Sequence, residues 1–431
     1  MQNLEIVVLI CSFFILLALG VPIAYSIGIS AIITLTISIP FLPSVTTIAQ
    51  RVATGLDSFA LLAIPFFILA GQIMNKGGIA RRLIDLAKTV VGMFPGGLAY
   101  VNILACMLFG AISGSAVAAA SAIGGFMNPE MTKEGYAKPF SAAVNITSAT
   151  TGLLIPPSNI LIVYSLASGG VSVAALFLAG YLPGFLVGLS LMTVAGIYAY
   201  RKKYPRGDRI SLIQGAKIFL NSIPSLSLII VVIGGIVTGV FTATEASAVS
   251  VIYAATLSLI YKELKWSELK SIILQSSVTT SIVMLLIGTS MGLSWVMSYE
   301  NIPQDVTAAL LSISSNKIVI LIIINLILLI VGTFMDMTPA VLIFTPIFLP
   351  VATSLGLDPV HFGIIMVLNL CIGLCTPPVG SVLFVGCSVA GISIDKVIRP
   401  LMPLFGAMLV ALFLVSVWSG LSLWIPRFFG Y

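Results

Sequence analysis

Polar groups with the chemistry of a binding site lie inside a long apolar stretch, residues 140–166. They form the run from Asn145 to Asn159, NITSATTGLLIPPSN, which is rich in hydroxyl groups and ends in a proline pair. Neither proline of Pro156–Pro157 can donate an amide hydrogen bond, and the residue before a proline is excluded from the helical region, so the helix must break here. A broken backbone at membrane depth persists only where it is buried in protein or lines a wet cavity. A proline kink surrounded by hydroxyl groups is the alternative.

A second copy of this motif lies in the other half of the chain. The sequence GLCTPPVG at residues 373–380 has the same Gly-x-x-x-Pro-Pro spacing as residues 152–157. The offset of 221 residues is kept between Gly170 and Gly391. Apolar segments that glycine and proline interrupt at matching places of two halves are typical of a transporter's binding site.

A lone carboxylate accompanies the second copy. Asp336 is the only acidic residue between positions 306 and 357, and its neighbours are apolar. A carboxylate inside a membrane is costly unless it is paired, so it is a functional candidate by default. Together with Thr338 and the carbonyl groups of residues 373–376, it predicts an all-oxygen site for a small hard cation. The alternative is a loop tip that simply reaches water.

The candidate site residues are those that bring oxygen atoms or helix ends to the breaks and loop tips. The candidate ion ligands are Ser113, Ser115, Gly152, Asp336, Thr338, Gly373 and Thr376. The candidate substrate-binding residues are Asn145, Thr147, Ser148, Pro156, Pro157, Asn159, Thr376 and Pro377. Carbonyl groups at the C-terminus of a half-helix favour cations, whereas N-termini favour anionic groups of a substrate. Neutral hydroxyl and amide groups beside a cation favour a weakly held ion that is released in each cycle.

Composition places these motifs in an all-α polytopic membrane protein. Of 431 residues, 59% are hydrophobic and 8% are charged, and the mean hydropathy is +1.17, so most of the chain lies in the bilayer. The net charge of +6 comes from lysines and arginines in short loops, which indicates membrane orientation rather than nucleic-acid binding. His361 is the only histidine, which excludes a histidine-based catalytic or zinc site.

The elements that position the motifs are predicted to form two inverted repeats, residues 1–217 and 218–431. Each repeat contains scaffold spans, an amphipathic arm helix, a re-entrant hairpin and a broken helix. In chain order the predicted elements are the arm 79–91, the hairpin 101–126, the broken helix 140–166, an arm near 300–314, the hairpin 319–351 and the broken helix 361–389. The spans at 173–200 and 401–424, together with the early spans, are expected to form the fixed scaffold.

Several local predictions leave alternatives open. One continuous alanine-rich span is the alternative to the first hairpin, and a solvated surface helix is the alternative to an arm at 79–91 that lies in the membrane interface. Residues 41–57 are predicted to be a polar connection bounded by prolines. Thr242 or Thr244 is predicted to cap the next span, with Glu245 stabilising its N-terminus.

Lysines and arginines predict the orientation. We place the basic run 201–217, which includes Arg209, in the cytoplasm, and the basic arm 79–91 then lies on the same side. The segment 300–314, which has Glu300 but no lysine or arginine, lies on the opposite side. Basic inside and acidic outside for equivalent elements is what an inverted repeat requires. Both termini are predicted to be periplasmic, and the first span is predicted to be retained.

The sequence resembles the large membrane subunit of a tripartite ATP-independent periplasmic (TRAP) transporter over essentially its whole length. The resemblance is carried by GAISGS at 110–115, GLLIPPS at 152–158, GVFTATEA at 239–246 and GLCTPPVG at 373–380. It implies an elevator-type transporter of the ion transporter superfamily in the bacterial inner membrane. It also implies sodium-driven uptake of an organic acid, commonly a C4-dicarboxylate or a sialic acid.

The same resemblance implies two partners, a soluble periplasmic substrate-binding protein and a small Q-type membrane subunit on a separate chain. The second loop tip, Asp336-Met-Thr338, differs from the Ser-Gly-Ser tip of the first, so the two ion sites need not be equivalent. A stand-alone sodium/dicarboxylate symporter without a binding protein is the alternative within transport. An intramembrane enzyme would need a nucleophile–base or two-carboxylate pair at depth, and the sequence offers a lone aspartate, so we expect no enzyme.

Overall fold

A computed structural model of the protein describes residues 4–206, 211–314 and 316–431. In these residues the chain forms twenty α-helices, two short 3-10 turns (Phe59–Leu62 and Thr151–Leu153) and no strand. The helices are α1 (Leu4–Ala18), α2 (Ile23–Ser38), α3 (Phe41–Gly55), α4 (Ala63–Lys76), α5 (Ile79–Val91), α6 (Gly97–Ser113), α7 (Ala116–Lys133), α8 (Lys138–Ala149), α9 (Asn159–Ala167), α10 (Val173–Lys202), α11 (Leu212–Val237), α12 (Ala243–Ile260), α13 (Trp266–Tyr299), α14 (Ile302–Ile313), α15 (Lys317–Phe334), α16 (Met337–Ser354), α17 (Pro359–Gly373), α18 (Ser381–Ala390), α19 (Ile394–Val417) and α20 (Gly420–Phe428). Eight helical segments of this part of the chain are long and apolar enough to cross a membrane. The predicted all-α, polytopic class is confirmed.

The helices pack in two groups. In the first group, α1 to α4 pack with α11, α12 and α13, with α4 against α12 and α13 against both α2 and α3. The second group contains α6 to α10 and α15 to α20, with α7 against α6, α8 and α18, and α15 against α17. The groups meet where α4 contacts α6 and α9, where α13 contacts α16 and where α10 contacts α11, while α5 and α14 touch both groups. The proline motifs therefore belong to the second group.

The two helices predicted to be fixed scaffold, α10 and α19, lie in the second group. Helix α10 packs against α6, α17 and α20, and α19 packs against α8 and α10. Small residues explain the position of α10, because a Cβ atom at Gly184 would lie 2.5 Å from the side chain of Ile155 in the first break. The spans at 173–200 and 401–424 were predicted to join the early spans. The structure places them in the second group instead. An apolar helix surface alone does not specify its partner.

Most of the segment 41–57 is the helix α3 (Phe41–Gly55) and not the predicted polar connection. Pro40 immediately precedes α3 and Pro43 lies in its first turn, where a missing amide proton is tolerated. Ser44 and Ile48 are buried, and the guanidinium group of Arg51 lies 5.2 Å from the centre of the Trp295 ring. Thr46, Gln50 and Thr54 are exposed and form the outer face of an amphipathic helix.

The ends of two further helices follow local sequence signals. Helix α5 spans Ile79–Val91 and buries one apolar face, including Leu83 and Ala87. Helix α12 begins after Thr242, whose hydroxyl group accepts a hydrogen bond from the Glu245 amide while the Glu245 carboxylate accepts one from the Thr242 amide. The predicted cap is confirmed with Thr242 as the capping residue.

The boundary between the predicted repeats lies close to a helix start. Helix α11 begins at Leu212, so residue 217 lies inside that helix. Arg209 of the predicted basic run lies outside the described residues. The division into two repeats, the inverted arrangement and the orientation stay predictions.

Candidate functional site

The first loop tip joins two helices that pack side by side. Helices α6 and α7 contact each other and are connected by Gly114 and Ser115, so this segment is not one continuous span. Gly114 has φ of +61°, a left-handed conformation that glycine adopts without strain. The hydroxyl group of Ser115 caps α7 by accepting a 3.2 Å hydrogen bond from the amide of Ala118. The predicted hairpin at 101–126 lies within this pair, and its re-entrant course in the membrane stays a prediction.

The second loop tip has the same layout with different chemistry. Helices α15 and α16 contact each other and are joined at Met335 and Asp336. Asp336 occupies the N-cap position of α16, but its side chain accepts no capping hydrogen bond there. The side chain of Asp336 is exposed. Its carboxylate therefore does not cap its own helix.

Both proline motifs break their helices. The first break separates α8 from α9, and the second separates α17 from α18. The Pro156–Pro157 and Pro377–Pro378 peptide bonds are both cis. Residues 151–158 are all buried, whereas Pro378 and Val379 are exposed. The first break is thus enclosed by protein and the second is partly open.

One glycine of a loop-tip helix packs against one glycine of a break, in α6 for the first break and in α15 for the second. A Cβ atom at Gly110 of α6 would lie 2.8 Å from the Cα atom of Gly152, and one at Gly373 would lie 2.6 Å from the Cα atom of Gly332 in α15. Real Cβ atoms do not approach backbone this closely, so larger residues would push the elements apart. The motif glycines Gly152 and Gly373 therefore let each break lie against its loop-tip helix. Neither residue lines the cavity described below.

Several predicted substrate-binding residues point into the protein interior. The side-chain amide of Asn145 donates a 2.8 Å hydrogen bond to the carbonyl of Ala120 in α7. Thr147 and Ser148 are buried and donate to carbonyls of their own helix. None of these three residues lines the cavity described below, and their role in substrate binding stays a prediction. Asn145 thus joins the broken helix to α7, while Thr147 and Ser148 bond within their own helix.

The remaining predicted residues divide between the cavity and its surroundings. Both loop tips and the first break meet at one cavity of about 270 Å³. Its lining includes Ser113, Ser115, Asp336, Thr338 and Asn159. It does not include Pro156, Pro157, Thr376 or Pro377, and the hydroxyl group of Thr376 donates to the carbonyl of Ile372 at 2.8 Å. The structure thus assembles four predicted ion ligands and one predicted substrate-binding residue.

Three helix N-termini point at this cavity. Ala116, Asn159 and Met337 are the first residues of α7, α9 and α16, and all three line it. The first amide groups of a helix lack partners in that helix and carry partial positive charge, so they bind anions. No lysine or arginine lines the cavity within the described residues, and Asp336 is its one carboxylate there. The site can hold an anion at the helix ends and a cation at Asp336.

The sequence-based prediction missed three polar residues of the cavity. Gln72 and Asn75 come from α4, and Thr279 comes from α13. Gln72 and Asn75 are three positions apart in a helix whose only other charged or amide side chain is its last residue, Lys76, so they share a face. This spacing is the signal that could have found them. They lie opposite the loop tips, on the first packing group.

Comparison with known proteins identifies the family. Residues 10–421 match the family model described as the tripartite ATP-independent periplasmic transporter, DctM component. The chain belongs to this family. It is 40% identical over 406 residues to the C4-dicarboxylate TRAP transporter large permease protein DctM of Pseudomonas aeruginosa, covering 94% of each chain. It is 39% identical to the isethionate TRAP transporter permease protein DctMQ of Oleidesulfovibrio alaskensis, covering 97% of this chain and 65% of that protein.

A solved structure agrees with the fold of this TRAP subunit. The YdaH transporter of Alcanivorax borkumensis superposes with a TM-score of 0.64 at 12% identity, covering 87% of this chain and 88% of that one. At this identity the likeness shows the fold alone. The relatives are named as permeases and not as enzymes, which confirms the expectation that the chain is no enzyme. The chain is the large membrane subunit of a TRAP transporter, a multi-pass protein of the inner membrane.

Proposed function

We propose that this TRAP subunit imports a small organic acid, coupled to sodium, through the cavity between the two loop tips. The observation that carries the proposal is the joint presence of one carboxylate, Asp336, and three helix N-termini around the same 270 Å³ space. The carboxylate and the hydroxyl groups suit a cation, and the helix ends suit an anion. Because each charge compensates the other, the site binds both ligands better than either one alone.

The substrate class follows from the cavity and the relatives. Two relatives carry the names C4-dicarboxylate and isethionate transporter, and both names refer to small organic anions. A C4-dicarboxylate-type acid is the substrate we propose, with sialic acid as the second expected class. The absence of lysine and arginine from the described cavity lining means that backbone and side-chain amides must bind the acid group. Neutral donors of this kind allow release in each cycle.

Sodium is the coupling ion that the cavity chemistry favours. Ser113, Ser115 and Thr338 supply neutral oxygen atoms around the charged oxygen atoms of Asp336. A proton-coupled transporter usually contains a chain of aspartate, glutamate and histidine residues. The lining contains one such residue, so a weakly bound hard cation is the simpler carrier of the gradient.

An elevator movement of the second packing group past the first would carry this site across the membrane. The loop tips and breaks belong to one group, while α4 and α13 close the cavity from the other. The helices α5 and α14 touch both groups and are the proposed arms. In this proposal the two halves are inverted repeats with re-entrant hairpins, and both termini face the periplasm.

The proposal includes two partners, a soluble periplasmic protein that delivers the acid and a small Q-type membrane subunit on the first packing group. The movement is tested with cysteines introduced at Ile68 of α4 and Val117 of α7, which line the cavity from opposite groups. In a variant whose native cysteines are replaced, a short crosslinker joining them should stop transport, and cleavage of the linker should restore it. Full transport in the crosslinked protein would refute the movement.

A further inference from the structure

The wall of the cavity belongs to two bodies that the proposed movement would separate. The loop tips belong to the second packing group, whereas Gln72 and Asn75 belong to α4, which packs on α12 and α13 in the first group. The side chains of Gln72 and Asn75 are both partly exposed at this wall. The two amide side chains therefore line the cavity but belong to the packing group that does not carry the loop tips.

A close backbone contact sets the position of the first tip on α4. A Cβ atom at Gly71 would lie 2.8 Å from the carbonyl oxygen of Ser113 and 3.3 Å from its Cα atom. These are backbone atoms, so they cannot swing away as the end of a flexible side chain can. The tip rests on α4 in this arrangement because residue 71 is glycine. The next residue on α4, Gln72, is thereby held beside the tip.

The chemistry of these residues matches an acid substrate. A primary amide donates two hydrogen bonds, and the cavity lining has no lysine or arginine in the described part of the chain. Gln72 and Asn75 are therefore the strongest side-chain donors that α4 presents to the cavity. The proposed movement of the second group along α4 would carry the loop tips away from both side chains.

We propose that Gln72 and Asn75 bind the substrate in one transport state only, the state described here. The inference rests on the elevator movement of the proposed function. Lys76 and the basic helix α5 follow Asn75 directly, and positive-inside counting places them in the cytoplasm. The state is thus inward-facing. The two amides set the substrate affinity of the state that releases the substrate into the cell.

The experiment compares substrate affinity from the two sides of the membrane. The complete transporter is reconstituted in liposomes with Gln72→Leu or Asn75→Leu. Gln275→Leu is the matched control, because Gln275 is exposed on α13 and does not line the cavity. Uptake of radiolabelled succinate delivered by the binding protein reports the outside, and exchange against succinate trapped inside reports the inside.

We expect the internal half-saturation concentration to rise about tenfold or more in each variant, since a hydrogen bond to a charged group is lost. The external half-saturation should stay within about twofold of the wild type. An equal rise on both sides would overturn the proposal, because the residues would then belong to the site in both states. No rise on either side would overturn it as well. A wild-type protein that shows no sodium-driven uptake would instead count against the proposed function.

Gly71→Ala provides an independent readout that needs no substrate contact. The added methyl group should push the first tip off α4 and lower the occupancy of this state. Labelling of a cysteine at Val117 from the cytoplasmic side should slow several-fold. Gly234→Ala is the control, because a Cβ atom at Gly234 would have no atom within 4 Å. Unchanged labelling in Gly71→Ala would show that the contact does not define the state.

Discussion

Removing the charge of Asp336 tests the assignment of the cation site. In Asp336→Asn the side chain keeps its shape and one carbonyl oxygen but loses its negative charge. Asp336 is exposed and accepts no capping hydrogen bond, so its helix does not depend on the carboxylate. We therefore expect thermal unfolding to change little while sodium binding weakens strongly.

The size of the effect follows from the kind of contact that is lost. A hydrogen bond or ligand contact to a charged group is worth about 1.5–3 kcal/mol. At about 1.4 kcal/mol per tenfold, sodium affinity should fall by roughly one to two decades. Ser115→Ala removes a neutral oxygen of the other tip, worth about 0.5–1.5 kcal/mol, and should shift affinity by about tenfold or less. Because the Ser115 hydroxyl group also caps α7, this variant should in addition lose about 0.5–2 kcal/mol of stability.

The measurement is the sodium activation curve of uptake at saturating substrate. Asp305→Asn is the matched control, because Asp305 is an exposed acid of α14 outside the cavity. The curve of Asp336→Asn should move to higher sodium while the order of preference among acids stays the same. Normal uptake by Asp336→Asn at limiting sodium would refute the site at the second tip.

Two further predictions concern how the tips are held on the breaks. Gly373→Ala should abolish transport, because the added methyl group would lie 2.6 Å from the backbone of Gly332. Gly406→Ala is the control and should leave uptake unchanged, because a Cβ atom there has no atom within 4 Å. Normal uptake in Gly373→Ala would contradict this contact. Asn369→Leu should lower the unfolding free energy by about 1–3 kcal/mol, since the Asn369 amide donates to the carbonyl and side chain of Asn325 at 2.8 and 2.9 Å. An unchanged melting temperature would argue against this bridge.

The breaks and loop tips could be predicted from the sequence because their causes are local. Proline removes an amide donor wherever it occurs, and the repeated spacing of Gly152 and Gly373 relates two distant segments. The lone carboxylate of Asp336 was equally visible, because no other acid lies near it in the chain. These features predict a polar site at each tip, and the structure shows that residues of both tips line one cavity.

The direction of each polar side chain could not be predicted in the same way. Asn145 and Asn159 both flank the first break, yet Asn145 bonds to α7 while Asn159 lines the cavity. The difference depends on the rotation of each half-helix and on its neighbours, which spacing along one chain does not fix. Gln72 was missed because its partners across the cavity come from residues far along the sequence.

The packing partners of the helices could not be predicted from the sequence either. An apolar surface packs equally well against lipid or protein, so the hydropathy of residues 173–200 does not show that α10 joins the group of the breaks. The polar residues of 41–57 were misleading for a related reason, because an amphipathic helix and a loop have similar composition. In both cases the deciding contacts are made by small or apolar residues, such as Gly184 against Ile155.

We propose that the chain moves an organic acid under a sodium gradient with a periplasmic protein as donor. The most direct measurement is uptake of radiolabelled succinate into liposomes that contain the complete membrane complex. We predict uptake only when sodium is higher outside and the loaded binding protein is present. Undiminished uptake in sodium-free buffer under a proton gradient, or from free succinate without the binding protein, would contradict the account.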